Sequence, residues 1–110
     1  MNDTQTPNTR VYRLDRFVVP TAAHDEFIRR VQETHSLLRE QPGFVQDFLL
    51  ESPRDSGSFT LATLVEWRDQ QAIEAARTKV AEQHRISGFN AQALMAKLGI
   101  QAELGNYKSL

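Results

Sequence analysis

Apolar and polar positions along this 110-residue chain change their period several times, and each change marks an element. From Arg10 to Val19 (RVYRLDRFVV) the pattern alternates. Tyr12, Leu14 and Val18 fall on one side, and Val11, Phe17 and Val19 on the other, which predicts a strand stopped by Pro20. Thr21 offers an N-cap, and Asp25 and Glu26 sit where the helix dipole favours anions. Phe27, Ile28, Val31, His35 and Leu38 then recur at helical spacing, giving an amphipathic helix that ends near Gln41 because Pro42 disfavours helical geometry before it. Pro42-Gly43 is a turn, Phe44–Glu51 a second strand, and Ser52–Ser58 (SPRDSGS) a loop of turn formers. Phe59–Trp67 (FTLATLVEW) is the strongest strand, with Phe59, Leu61, Thr63, Val65 and Trp67 on one face, and it forms a hairpin with the second. Asp69 caps a helix carrying Ala72, Ile73, Ala76, Val80 and His84, broken by Ser87-Gly88. Asn90 caps a short third helix with Ala93, Leu94 and Leu98, Gly99 closes it, and Ile100–Tyr107 is a last strand.

The order β-α-β-β-α-(short α)-β is that of an α+β, ferredoxin-like split βαβ unit, with helices on one face of an antiparallel sheet. It occupies residues 10–110 as a single domain, after a polar tail over residues 1–9 that offers no apolar face. The strands carry apolar residues on both sides, yet the helices can cover only one. A second copy of the chain is therefore expected on the open face, giving a homodimer; the plainer alternative is that Ala62, Leu64 and their neighbours lie singly on an ordinary surface.

Composition adds exclusions. A formal net charge of −1 gives no electrostatic footprint for nucleic acid or an anionic membrane, and no apolar run approaches a bilayer span. The polar N-terminus lacks the order of a secretory signal, so cytoplasmic residence is the default expectation. Without cysteine there is no disulfide framework, thiolate nucleophile or cysteine-based zinc site, and two histidines without a third ligand make no metal centre. Ser56-Gly57-Ser58 lacks the strand-turn-helix context of a nucleophile elbow or phosphate loop.

From Arg10 to Tyr107 the chain resembles the antibiotic biosynthesis monooxygenase family, small dimeric α+β barrels. The resemblance rests on FVVP in the first strand, the helix EFIRRVQETHSLLRE, the turn and strand QPGFVQDFLLE, TLATLVEW before an alanine-rich helix, and the late LGIQAELGNY. It implies a cofactor-independent monooxygenase acting on an electron-rich aromatic, of quinol or phenolic polyketide type, in a pocket between sheet and helices. A non-catalytic dimeric module that binds a small apolar ligand or regulates a partner is the alternative, since one fold hosts many activities. The branches of the family differ in their polar residues. Anthrone-oxidising members carry an Asn four residues before the Trp that ends the third strand; here Trp67 matches and Thr63 takes the Asn position, so an enolate would need another donor. Haem-degrading members carry an Asn on the first strand and a His about ten residues after the Trp; this first strand has none, and Arg77 stands ten past Trp67.

Each candidate residue has two readings. His35 and His84, on the apolar stripes of their helices, could approach one cleft and supply a general base, or simply be hydrogen-bonded near helix ends. Trp67 could wall a substrate pocket or pack as a core indole. Thr63, Phe17 and Tyr107 are candidate substrate-binding residues, with Tyr107 equally suited to a dimer seam. Arg13 and Asp15, on the same strand face as Phe17, could orient a polar substrate group or form a plain ion pair, while His24 is expected to face solvent. A pocket of about 300 Å³ or more with a histidine nitrogen in its wall would suit catalysis or ligand binding.

Overall fold

The computed structural model describes residues 8–110, so most of the expected tail, residues 1–7, lies outside the described part. The elements are β1 (Val11–Pro20), a 3₁₀ turn (Thr21–Ala23), α1 (His24–Arg39), β2 (Phe44–Asp55), β3 (Ser58–Trp67), α2 (Gln70–Ser87), α3 (Ala91–Leu98) and β4 (Gln101–Lys108). The strands form one antiparallel sheet in the order β2-β3-β1-β4, the split βαβ arrangement with β2 and β4 at the edges.

Local chemistry explains most boundaries. Asp69 and Asn90 accept hydrogen bonds from the amides of Ala72 (2.8 Å) and Ala93 (3.0 Å), capping α2 and α3. Gly88 and Gly99 close those helices in the left-handed region, with φ of 77° and 74°. Thr21 departs from its expected role. It makes no side-chain cap and begins the 3₁₀ turn, while its amide donates to the Gly57 carbonyl at 2.9 Å and ties the end of β1 to the β2–β3 hairpin.

The hairpin itself is tighter than the turn-forming residues suggested. Ser52–Asp55 continue β2, leaving Ser56-Gly57 as the connection, because Asp55 Oδ1 accepts from both the Gly57 amide and the Ser58 hydroxyl, each at 2.9 Å. Pro53 is tolerated there since β2 is an edge strand with an irregular register between Pro53 and Asp55. In α3, Met95 joins Leu94 and Leu98 against the core while Ala93 faces solvent, and Ile100 is buried in the link just before β4.

β3 alternates strictly between buried and half-buried positions, and the buried set (Phe59, Leu61, Thr63, Val65, Trp67) faces the helices. Two apolar clusters fill that side. One joins Phe17, Val19, Phe27, Phe59, Leu61 and Ile100 beneath α1 and α3; the other joins Val11, Val65, Trp67, Ala72, Ile73 and Ala76 beneath α2. The opposite sheet face has no helix over it, and Phe48, Leu50 and Tyr107 stand 46%, 56% and 55% exposed. No helix among the described residues is long and apolar enough to cross a membrane.

Candidate functional site

The register places residues in rows across the helix-facing side of the sheet. The outer rows are apolar: Val11 with Trp67 and Phe44 at one end, Val19 with Phe59 at the other. The middle rows are not. Arg13 pairs with Val65, which pairs with Asp47; Asp15 pairs with Thr63. A cavity of about 240 Å³ opens over this polar band, walled by α1, α3 and the sheet, with Phe17, Phe27, Val31 and Phe89 among its apolar lining. It is smaller than the roughly 300 Å³ at which pockets for drug-sized ligands begin. A second cavity of about 240 Å³ adjoins it on the α2 side, and Arg13, Asp15, Leu38 and Val65 belong to both walls.

His35, only 5% exposed, lines the first cavity from α1. Its Nδ1 lies 2.8 Å from Asp47 Oδ2, and Arg39, one helical turn farther on, reaches the same oxygen through Nη2 at 2.9 Å. Partial burial opposes the charge on Asp47, but the hydrogen bonds and charges of Arg39 and His35 outweigh it and hold the carboxyl below its ordinary range. An ionised carboxylate only accepts, so His35 donates from Nδ1, and the tautomer with that proton has its lone pair on Nε2. Nε2 makes no hydrogen bond to another described residue.

Three further polar residues come from the sheet, Arg13, Asp15 and Thr63. Arg13 Nε donates to Asp15 Oδ1 at 2.6 Å, and Nη1 reaches Asn106 Oδ1 at 3.5 Å. Burial raises the Asp15 carboxyl above the usual carboxylate range, against the lowering effects of Arg13, the Gly105 amide and His35. Thr63 is 4% exposed, and its hydroxyl, in the cavity wall, makes no hydrogen bond to a described residue. Buried hydroxyls ordinarily find a partner, so this one is available to a ligand.

Residues 11–84 match the family model for antibiotic biosynthesis monooxygenases. The chain belongs to that family. Among solved structures, the cofactor-independent oxygenase SnoaB from Streptomyces nogalater is 22% identical, with a TM-score of 0.64 over 93% of this chain and 94% of that one. The heme-degrader MhuD from Mycobacterium tuberculosis is 18% identical, with a TM-score of 0.61 over 91% and 95% of the two chains. A conserved protein from Methanosarcina mazei Go1 reaches a TM-score of 0.71 at 13% identity over 94% and 95%. These likenesses establish the antibiotic biosynthesis monooxygenase fold. No curated protein matches the chain.

Within this monooxygenase fold, His35, His84, Thr63 and Phe17 line one cavity. His84 is half-buried on α2 and meets the Phe89 ring edge-on at 4.9 Å. Trp67 lies apart from those four. It packs in the α2 cluster with its ring edge-on to Phe44 at 5.8 Å, and lines only the adjoining cavity. The register puts Tyr107 opposite Tyr12, on the uncovered sheet face and away from both cavities, because β4 alternates with β1. His24 is held rather than free: its ring nitrogens engage Asp25 and Glu51, and it tilts against Phe59 at 4.8 Å. Sequence reasoning passed over Asp47 and Phe89, and placed Phe27 only on the apolar stripe of its helix. For Asp47 a plain alternation count from Phe44 points to the open face; the register shift between Phe44 and Gln46 turns it to the helix side.

Proposed function

We propose that this chain is a cofactor-independent monooxygenase for an electron-rich aromatic of the quinol or phenolic polyketide class. The observation that carries the reading is the His35–Asp47 pair: a buried imidazole, oriented by an ionised carboxylate, in the wall of an apolar cavity. His35 Nε2 takes the phenolic proton, with Asp47 stabilising the imidazolium that results. The ring anion then reacts with O₂ at carbon. One oxygen atom becomes a carbonyl on that carbon, and the other leaves as water with two hydrogens from the substrate. Phe17, Phe27 and Phe89 keep water from the reactive anion, and the Thr63 hydroxyl donates to a substrate oxygen. His84 sits at the same cavity as a second imidazole for proton traffic. Trp67 contributes from the adjoining cavity to the fit of a larger ring system.

The exposed Phe48, Leu50 and Tyr107 support a homodimer formed through the uncovered sheet face. Light scattering should report about 25 kDa, twice the 12.5 kDa chain, and Leu50→Lys should return the single-chain mass.

The test of function is oxygen consumption with a panel of hydroquinones and anthrones under metal-free conditions. Wild-type turnover should fall at least about a hundred-fold in His35→Ala, the scale of a lost general base. Binding of the same compounds without oxygen uptake would favour the non-catalytic ligand-binding module.

A further inference from the structure

We infer that Arg13 is the oxyanion anchor of the site, holding the ionised oxygen of the aromatic ligand at the junction of the two cavities. The inference rests on the proposed oxygenase reading and assigns a residue to its charge-stabilising step. That step needs a further donor, because the single hydroxyl of Thr63 is a weak partner for a full negative charge.

Three observations lead to Arg13. Its side chain projects from β1 onto the helix-facing side, one row from Thr63 and opposite Val65, so it reaches the same floor. It belongs to the walls of both cavities, as few residues do, and therefore stands where a ligand spanning them must pass. Finally, its guanidinium is only partly used: Nε is spent on Asp15 and Nη1 makes a long contact to Asn106, while Nη2 has no hydrogen bond to another described residue.

The pairing with Asp15 suits this role. Asp15 fixes the guanidinium plane through Nε and leaves Nη2 without a bond to a described residue. A carboxyl that burial makes reluctant to ionise opposes an incoming anion less than an ordinary carboxylate would. The other ionisable groups around the ligand are His35, Arg30 and His84 in the first cavity and Arg77 in the second. Arg30 is already committed, bonded to Glu33 at 3.2 Å and seated 4.8 Å above the Phe89 ring. His35 takes the proton; Arg13 receives the charge that proton leaves behind. Because that charge appears only as the proton departs, the contact strengthens along the reaction.

The experiment follows the ionisation of a bound chromophoric phenol, 4-nitro-1-naphthol, by absorbance titration, without turnover. In the wild type the bound phenol should ionise about ten-fold more readily than in Arg13→Gln, the scale of one lost charge-assisted hydrogen bond. Arg13→Lys should recover part of that difference. With His35→Ala, which should abolish oxygen uptake, the further change Arg13→Gln should still lower the ionisation of the bound phenol about ten-fold. Equal ionisation in wild type and Arg13→Gln overturns the assignment, as does a probe that does not bind the wild type. A wild type that shifts the probe but consumes no oxygen with any substrate keeps the anchor and removes the oxygenase.

Discussion

The two ends of the helix-covered sheet face are closed, and its middle is open. At one end Trp67, Val11 and Ile73 pack shut beneath α2; at the other Phe59, Val19 and Ile100 pack shut beneath α1 and α3. Between them the same strands place Arg13, Asp15, Thr63 and Asp47 at inward positions, and the cavity lies over these residues. The period of β1 and β3 is unbroken across all three zones; only the residue type changes. Apolar side chains meeting across a 10 Å layer interdigitate and exclude space, whereas charged ones that must keep their partners cannot fill it. The candidate site is where the packing pattern is interrupted, and the closed ends are what hold the interruption to a fixed shape.

The largest test of that contrast is truncation at a closed end. Trp67→Ala should cost about 3–5 kcal/mol in denaturant unfolding, as expected for emptying a fully buried aromatic position. A cost under about 1 kcal/mol would mean that the α2 end is as loose as the middle.

The second test is in the polar band and separates its two carboxylates by pH. Asp47 has a lowered folded pKa, so its stabilising contribution is complete above the unfolded value near 3.8 and is lost as pH falls through the folded value below it. Asp47→Asn should be less stable than wild type at neutral pH by about 1–3 kcal/mol, the range for disturbing a buried hydrogen-bonded group, and the gap should close in strong acid. Asp15 runs the other way: its folded pKa is raised, so its contribution is present in acid and lost as pH rises from 3.8 through the folded value. Thermal melts from pH 2 to 7 on both Asn variants should therefore diverge in opposite senses; parallel curves would undo the distinction.

The smallest effect belongs to His24, which pins the start of α1 to β2 at a closed end but is partly exposed. Its pKa is raised by hydrogen bonds to Asp25 and Glu51, so the pin is complete below the unfolded value of 6.5 and is lost as pH rises through the folded value above it. His24→Ala should cost about 0.5 kcal/mol or less at pH 6 and nothing at pH 9, by melting temperature.

Much of the scaffold was legible because its signals are local. Asp69 and Asn90 cap helices, Gly88 and Gly99 end them, and β3 alternates, all decided within a few residues of chain. The family resemblance and the helix-on-one-face order are sums of such signals. The extension of β2 was hidden because Ser52–Asp55 consists of turn formers, and only an edge position makes a strand of them. The candidate site was legible in part. Helical spacing gave the inward histidines, and strand spacing gave Thr63 and Phe17. Asp47 was missed because its partner is on another element, and the separation of Trp67 from His35 depends on how α2 settles over the sheet.

One consequence concerns how this molecule can change over time. The carboxylate of Asp47 ties α1 to β2 through Arg39 and also sets which nitrogen of His35 is bare. Rivet and tuning peg are the same two oxygen atoms. On the proposed chemistry, function and scaffold cannot drift apart at that position: a lineage without the proposed reaction would still have to keep the acid or rebuild the joint.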